Sequence, residues 1–193
     1  MSIIVAVQKG EQIAMAADNG ASDGCHVQPP DLVVNHQKVR RVGDSLIGMA
    51  GYAVYENVFE HLLGLGRIEF SLGNRNEVFV FFLRLLETLT RDYHFVSETN
   101  DDCTEEDRGS PFLKLNSRFI VANRSGIFVI DSDLTVVQYR NYWAIGNGCT
   151  FALGALHASY GGDASAQSIA RTAAEAALRF GEDCRGDIET WDL

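Results

Sequence analysis

Residues 2–20 read SIIVAVQKGEQIAMAADNG and set the architecture of the chain. The segment from Ser2 to Gln8 alternates loosely and is rich in Ile and Val, which predicts a strand. Lys9-Gly10-Glu11 has the composition of a turn, and Gln12 to Ala17 repeats the strand pattern, so we expect the two segments to pair as a hairpin. Asp18-Asn19-Gly20 then ends the second strand.

The remainder of the chain consists of blocks of strands and pairs of helices, after a polar loop from Ala21 to Pro30. Strands are predicted at Val33–Val42, Ser45–Met49, Arg118–Ala122, Ile127–Asp131, Val136–Tyr139, Trp143–Ile145 and Ile188–Trp191. Helices are predicted from Gly51 to Leu65, from a cap at Asn76 to about Tyr93, at Thr150–Tyr160 and at Ser165–Phe180. The acidic stretch from Glu98 to Ser110 is predicted to be a solvated loop.

The grouping of the strands indicates the fold class. Strands that come in blocks, and do not alternate singly with helices, favour antiparallel sheets over a doubly wound parallel sheet. Two such sheets bury their apolar faces when they lie between two helical layers. We therefore predict an α+β protein with a four-layer αββα sandwich, formed by residues 1–193 as a single domain.

The composition argues against several functional classes. A formal net charge of -10 disfavours nucleic acid and anionic membrane surfaces as partners, because both select clustered Lys and Arg. No segment reaches the roughly 18 consecutive apolar residues of a membrane span, and the first residues lack the features of a signal peptide. The four cysteines show no CxxC spacing, so we expect reduced thiols in a cytoplasmic protein, with no metal or other cofactor.

Four motifs occur in a recognisable order along the chain. They are Ala16-Ala17-Asp18-Asn19-Gly20, Lys38-Val39-Arg40-Arg41-Val42, Ile47-Gly48-Met49-Ala50-Gly51 and Ala144-Ile145-Gly146-Asn147-Gly148. With the first strand, they give the chain a sequence that resembles the proteasome β-subunit family, and most of all its simpler bacterial branch, the HslV-type peptidases. The resemblance covers nearly the whole chain in element order and implies the N-terminal-nucleophile hydrolase fold.

The resemblance implies that Ser2 is the attacking residue of a threonine/serine-type endopeptidase. Members of the family begin the mature chain with the nucleophile, usually Thr, so Ser2 would act once Met1 has been removed. An α-amine, with an ordinary pKa of about 7.7–8.0, can accept the hydroxyl proton directly or through one water. The implied route is acylation of Ser2 by a peptide carbonyl, release of the amine product and hydrolysis of the ester.

The other residues of the implied site come from the motifs. Lys38 would lie beside the Ser2 hydroxyl, and Asp18 would pair with Lys38 and hold it in place. Gly48 would present its backbone N–H to the tetrahedral oxyanion. Taken singly, these residues have simpler explanations, since Asp18 suits a turn, Lys38 a solvated strand position and Gly48 close packing.

The resemblance points to two further residues of the site. Asn147 stands where the family has a Ser that supports the N-terminal amine. Asp183 is the candidate for the family's second Asp, with Glu182 and Asp187 as neighbours in an open register.

The resemblance also implies an assembly and a substrate class. The subunits would form a ring-shaped homo-oligomer of stacked rings whose sites face an inner chamber, with unfolded polypeptides or peptides as substrates and an ATPase as a candidate regulator. Leu46 and Ala50 would form an apolar wall for the substrate. Two alternatives stay open: a small-molecule amidase with a deep closed pocket, and a non-catalytic ring subunit that retains Met1.

Overall fold

The computed structural model describes residues 2–22, 26–66, 71–93 and 114–193. The strands of these ranges are β1 Ile3–Lys9, β2 Gln12–Asp18, β3 Ala21–Ser22, β4 Val27–Gln28, β5 Val39–Val42, β6 Ser45–Gly51, β7 Ser117–Asn123, β8 Gly126–Ile130, β9 Val136–Tyr139, β10 Tyr142–Gly146 and β11 Ile188–Asp192. The α-helices are α1 Val54–Gly64, α2 Arg75–Thr88, α3 Cys149–Ser159 and α4 Ala166–Phe180. The predicted loop from Glu98 to Ser110 lies outside the described residues. The predicted strands and helices occur in the predicted order, and the structure adds the short strands β3 and β4.

The strands form two larger antiparallel sheets. The first has the order β10-β1-β2-β11, and the second has the order β5-β6-β7-β8-β9. The predicted hairpin of β1 and β2 is confirmed, with Ile4 opposite Ala17 and Lys9 opposite Gln12. Both ends of the chain contribute to the first sheet, since β11 pairs with β2 on the side away from β1.

Three apolar cores hold the layers together. The central core joins the inner faces of the two sheets, and Ile4 of β1 packs there with Leu46 and Ile120 of the second sheet. Helices α3 and α4 cover the outer face of the first sheet, and α1 and α2 cover that of the second. The four-layer αββα sandwich is therefore confirmed, and its alternating strands place one set of side chains in each core.

The segment before β5 differs from the prediction. The sequence predicted a strand from Val33, but the strand begins at Val39, after a 3-10 turn at Pro30–Leu32. Proline at the start of that turn fixes its backbone, and the side chain of Val34 is fully exposed, so the apolar pattern there does not reflect burial. The predicted loop also contains the short β3–β4 pair.

The start of α2 differs by two residues. Asn74, not Asn76, is the N-cap, and its side chain accepts a hydrogen bond from the Glu77 backbone N–H at 3.0 Å. The predicted end at Tyr93 is confirmed, because a π-helical turn at Leu89–Tyr93 continues α2. None of the helices in the described ranges is both long and apolar enough to cross a bilayer.

Candidate active site

A cleft of about 470 Å³ opens where the ends of the two sheets meet. Its lining comes from both sheets, from the β3 segment and from the first turn of α1. The residues that line it are Ser2, Ala21, Ser22, His36, Lys38, Met49, Ala50, Gly51, Tyr52, Ala53, Glu56, Arg118, Gly146 and Asn147. Among the predicted site residues, Ser2, Lys38 and Asn147 therefore share one cavity.

Ser2 lies at the head of β1 and is 5 % exposed. Its backbone passes very close to β10, where Ile3 lies opposite Gly146. A Cβ on Gly146 would lie 2.1 Å from the carbonyl oxygen of Ser2, and Gly146 also has a φ of +99°. Only glycine satisfies both conditions, so the Gly146 position of the fourth motif fixes the backbone of Ser2 at the cleft.

Lys38 and Asp18 form a buried ion pair. The Lys38 Nζ lies 2.8 Å from Asp18 Oδ1, and the two side chains are 4 % and 0 % exposed. The carboxylate also accepts backbone hydrogen bonds from Ile3 at 2.9 Å and from Arg185 at 3.1 Å. A buried charge is tolerated when it is paired and hydrogen-bonded, as this one is. The pair therefore fixes an ammonium at the cleft and ties it to the strand that carries Ser2.

The two glycines of the third motif occupy different environments. Gly48 lies in the middle of β6, where an added Cβ would meet Ile4 at 2.7 Å and Ile120 at 2.9 Å, so it faces the central core. Ladder alternation directs the N–H of Gly48 toward Ile120 on β7. The structure thus does not bring Gly48 to the cleft, and its expected role as oxyanion donor is not supported by its position.

Gly51, at the end of β6, lines the cleft instead. The backbone N–H of Met49 donates to the carbonyl of Lys38, on the edge of β6 away from β7. Alternation places the N–H of Gly51 on that same edge, where β5 has not yet begun. Gly51 has a φ of +154°, and a Cβ there would lie 2.0 Å from Ser117 Oγ, so the turn from β6 into the cleft requires glycine.

Of the two residues expected to form an apolar wall for the substrate, only one lines the cleft. Ala50 lines the cleft, whereas Leu46 is 1 % exposed and belongs to the core between the sheets. The two residues share one face of β6, but Leu46 lies four residues further from the end of the strand where the cleft opens. Met49 and Ala53 supply further apolar lining that the sequence did not indicate.

Asn147 and Asp183, the two remaining candidates from the sequence, contact each other. The Asn147 side-chain amide donates to Asp183 Oδ2 at 2.8 Å. The segment that carries Asp183 is tied to the end of β2, because Asn19 Oδ1 accepts from the Asp187 backbone N–H at 2.8 Å. The Asp183 side chain therefore reaches the cleft through Asn147.

Cys184 lies close to the ion pair and is buried. Burial raises the pKa of its thiol to about 11, and the negative charge of Asp18 acts in the same direction. A thiol with such a pKa stays neutral near pH 7 and is a poor nucleophile. Within the described ranges, no cluster of three or more His, Cys, Asp or Glu side chains could hold a metal ion.

A carboxylate–histidine pair in the lining of the cleft was missed by sequence reasoning. His36 Nδ1 lies 2.8 Å and 3.0 Å from the two oxygens of Glu56, which also accepts from the Gln37 backbone N–H at 3.1 Å. The two residues are 20 positions apart and come from a loop and a helix. The one available signal was that Glu56 is a charged residue on a helix whose other inward positions are apolar.

The chain is similar to solved structures over almost its entire length, although no family model matches it. A Thiobacillus denitrificans BPH in complex with epoxomicin superposes with a TM-score of 0.84 at 25 % identity, covering 99 % of this chain and 97 % of that one. A second structure of the same BPH gives a TM-score of 0.84 at 26 % identity, with the same coverage. A eukaryotic HslV from Trypanosoma brucei gives a TM-score of 0.67 at 22 % identity, covering 99 % of this chain and 98 % of that one. This chain therefore has the proteasome and HslV type of fold, as the resemblance in its sequence predicted.

Proposed function

We propose that this protein is a proteasome-like peptidase that hydrolyses peptide bonds with Ser2 as an N-terminal nucleophile. The observation that carries the proposal is the shared cleft of Ser2 and the buried Lys38–Asp18 pair. The similarity to a BPH that was solved with epoxomicin supports it, because that similarity extends over 99 % of this chain.

The chemistry uses two groups of one residue. After removal of Met1, the α-amine of Ser2 takes the hydroxyl proton while Oγ bonds to the carbonyl carbon of the substrate. The carbon–nitrogen bond of the peptide then breaks, and the leaving amine takes that proton from the α-ammonium. Water hydrolyses the resulting ester with the same amine as base, which returns free Ser2.

Lys38 stabilises the charges that form during this reaction. An ammonium beside the hydroxyl favours the alkoxide-like state of the oxygen and disfavours protonation of the neighbouring amine. Asp18 holds that ammonium, and its bond from the Ile3 backbone N–H links it to the residue after the nucleophile. Lys38 therefore acts on the reacting atoms, and Asp18 is a positioning residue.

Gly51 takes the role that the sequence assigned to Gly48. Its N–H lies on the edge of β6 that faces the cleft, and a preorganised backbone donor of this kind typically stabilises a transition state by about 2.7–4 kcal/mol. Asn147, held by Asp183, is proposed to position the α-amine of Ser2, since both Ser2 and Asn147 line the cleft.

The proposal includes a ring-shaped homo-oligomer in the cytoplasm, with peptides or unfolded polypeptides as substrates and an ATPase as a candidate regulator. We expect native mass spectrometry to show one dominant species at a multiple of the monomer mass. A monomer at micromolar concentration would instead favour the small-molecule amidase.

The decisive experiment combines intact mass with a peptide epoxyketone. We expect loss of Met1 in the purified protein and one adduct that peptide mapping places on Ser2. Ser2→Ala should abolish both the adduct and peptide cleavage, whereas Ser22→Ala, which changes another serine of the same cleft, should retain the adduct. A Ser2→Ala protein that cleaves peptides at the wild-type rate would exclude the mechanism, and retained Met1 without an adduct would favour the non-catalytic subunit.

A further inference from the structure

The ladder between β6 and β7 ends at the cleft with a side-chain acceptor in place of a backbone carbonyl. The last pair of the ladder is Gly51 opposite Ser117. Because the N–H of Met49 points to the β5 side, alternation turns the N–H groups of Ala50 and Tyr52 toward β7. The Tyr52 N–H donates to Ser117 Oγ at 3.1 Å. The serine hydroxyl therefore accepts the hydrogen bond that the next rung of the ladder would make.

Ser117 is buried against the backbone of Gly51. Its exposed fraction is 4 %. A Cβ built on Gly51 would lie 2.0 Å from Ser117 Oγ and 2.8 Å from Ser117 Cα, so the two residues approach closely. Opposite residues of a pair without ladder hydrogen bonds have the shorter Cα separation, about 4.5 Å, as alternation requires at this position. The absence of a side chain at Gly51 thus leaves room for the hydroxyl that ends the ladder.

A second contact holds the turn after β6 to the start of β7. The hydroxyl of Tyr55 is hydrogen-bonded to the backbone of Asn116. The Tyr55 ring packs edge-on against Phe119, with 5.6 Å between the ring centroids. Tyr55 lies in the first turn of α1. The connection between β6 and α1 is therefore attached to β7 at two points, of which the Ser117 hydroxyl is the one nearer to Gly51.

These attachments determine the direction of the Gly51 N–H, which faces the cleft on the other edge of β6. Ala50, before it, is held by the ladder with β7, and Tyr52, after it, is held by Ser117. Gly51 itself has a φ of +154°, and glycine restricts its own backbone less than any other residue does. The orientation of this N–H therefore depends on the two neighbours that β7 holds.

We propose that Ser117 is a positioning residue that keeps the Gly51 N–H directed at the oxyanion of the tetrahedral intermediate. Ser117 lies outside the set of described residues that line the cleft, so it acts through Gly51 and not by contact with the substrate. Without the hydroxyl, the peptide group between Gly51 and Tyr52 loses its acceptor, and the donor is less well preorganised for the charge that develops. This inference rests on the proposed peptidase function, because that reaction is what places an oxyanion beside Gly51.

Steady-state kinetics with one fluorogenic peptide give the first test. Ser117→Ala removes the acceptor, whereas Ser117→Cys keeps a weaker acceptor of similar size. We expect kcat to fall about tenfold in Ser117→Ala, less than the roughly 100-fold or more that follows outright loss of an oxyanion donor, with KM unchanged. Ser117→Cys should lie between Ser117→Ala and the wild type. An equal fall of kcat and kcat/KM is typical of an interaction that is made only in the transition state.

A pair of inhibitors tests the oxyanion contact directly. Ser2 Oγ adds to the carbonyl carbon of a peptide aldehyde, and the hydroxyl proton passes to the former aldehyde oxygen, which then occupies the oxyanion position. The matched peptide alcohol keeps the peptide contacts and cannot undergo this addition. The ratio of the two inhibition constants therefore isolates hemiacetal formation. We expect Ser117→Ala to reduce the preference of the wild type for the aldehyde by about tenfold.

Ser165→Ala is the matched control, because Ser165 Oγ also accepts a backbone N–H, from Ser168 at 3.2 Å. This bond caps α4 and lies outside the cleft lining, so the variant removes the same kind of hydrogen bond at another place. It should lower the thermal stability and leave both kcat and the inhibitor ratio unchanged. Equal kinetic effects of Ser165→Ala and Ser117→Ala would overturn the positioning role, since a general loss of stability would then explain both.

The results also distinguish the role of Ser117 from the function on which it rests. If the wild type cleaves peptides and forms the Ser2 adduct, but Ser117→Ala keeps its kcat and its aldehyde preference, then Ser117 has no positioning role and the peptidase stands. If Ser117→Ala does not fold, the same comparison is made with Ser117→Cys. If the wild type neither cleaves any peptide nor forms an adduct on Ser2, the proposed function fails and the role of Ser117 fails with it.

Discussion

At the scale of single residues, the Lys38–Asp18 pair is the most sensitive part of the site. Removal of one member of a buried pair leaves an uncompensated charge, which typically costs about 3–5 kcal/mol. We expect Lys38→Ala to lower the free energy of unfolding by about 3 kcal/mol, measured by urea denaturation. It should also slow acylation of Ser2 by about 100-fold or more, measured by the rate of epoxyketone adduct formation.

An exposed pair provides the control for this variant. Arg171 and Glu175 lie on α4 at 3.8 Å, with side chains that are 47 % and 54 % exposed. Arg171→Ala should change the free energy of unfolding by about 0.5 kcal/mol or less, because solvent screens such pairs. Equal stability effects for Arg171→Ala and Lys38→Ala would mean that the buried pair does not link the strands at the cleft.

Gly51 is expected to tolerate no side chain. In Gly51→Ala, the new Cβ would meet Ser117 Oγ at 2.0 Å and Ser117 Cβ at 2.6 Å, and the strand end must shift to relieve the contact. We expect a stability loss of about 1–3 kcal/mol and strongly reduced adduct formation, because the shift moves the proposed oxyanion donor.

Gly10→Ala controls for the cost of backbone conformation alone. Gly10 has a φ of +60°, and an added Cβ would meet nothing within 4 Å. This variant should lose about 1 kcal/mol and keep its rate of adduct formation. If Gly51→Ala reacted as fast as Gly10→Ala, then Gly51 would have no part in the chemistry.

The raised pKa of the Cys184 thiol leads us to predict that the free energy of unfolding falls at alkaline pH. The pKa of this thiol is about 11 in the folded protein and near the ordinary 9.0 in the unfolded chain, so between these values the unfolded state binds fewer protons. The free energy of unfolding therefore falls as the pH rises through this window, by about 1 kcal/mol at pH 10 from this group. Urea unfolding at pH 8 and pH 10 should show a smaller loss in Cys184→Ala.

Cys149 is the comparison, since it is only partly buried. Cys149→Ala should lose stability between pH 8 and pH 10 as the wild type does. Peptide mapping after treatment with iodoacetamide at pH 8 should find Cys149 alkylated before Cys184. The opposite order of alkylation would show that the Cys184 thiol is not protected by burial.

At the scale of secondary-structure elements, the start of α2 offers a direct test of capping. The Asn74 side chain accepts from the Glu77 backbone N–H at 3.0 Å, and the Glu77 carboxylate accepts in turn from the Asn74 side-chain amide and from the Gly73 backbone N–H. We expect Asn74→Ala to cost about 1 kcal/mol in urea denaturation. Asn76→Ala changes the cap that the sequence predicted, and it should be neutral; a larger loss from Asn76→Ala would contradict the observed cap.

The elements that the sequence predicts well are those with a regular pattern of burial. The strands β1 and β2 and the helix α4 combine clear periodicity with turn residues or a Ser165 cap at their ends. The start of β5 could not be found in this way, because Val34 is apolar but exposed and its neighbours lie outside the ladder that β5 forms with β6. The hydropathy of a residue indicates whether its side chain favours burial, whereas a β-strand also requires a neighbouring strand with which its backbone can pair.

The residues of the candidate site also divide into those that a local sequence motif indicates and those that only the folded structure identifies. Ser2, Asp18 and Lys38 were identifiable because each lies in a motif with fixed chain spacing, and the structure brings them together. The choice between Gly48 and Gly51 depends on which edge of β6 each N–H faces, and that is determined only by the sheet pairing. The His36–Glu56 contact joins distant parts of the chain, so no local pattern indicated it.

At the scale of the whole molecule, the site lies where the two sheets meet and is also tied to an outer helix. Helix α4 packs closely on the first sheet because its buried face is formed by small residues, namely Ala166, Ala170, Ala173, Ala174 and Ala177 together with Ile169. The segment after α4 donates the Arg185 backbone N–H to Asp18 at 3.1 Å. The spacing between the helix layer and the sheet therefore sets the position of a group that holds the proposed catalytic cation.

This connection predicts that a change far from the cleft alters the reaction. Ala173 is fully buried on α4, and Ala173→Leu would force the helix away from the sheet, at a cost of about 1–3 kcal/mol. The displacement should weaken the bond from Arg185 to Asp18, so adduct formation on Ser2 should slow under conditions where the protein is still folded. Ala176→Leu, on a partly exposed position of the same helix, should affect neither quantity. Unchanged acylation in a destabilised Ala173→Leu protein would show that the helix layer and the site are independent.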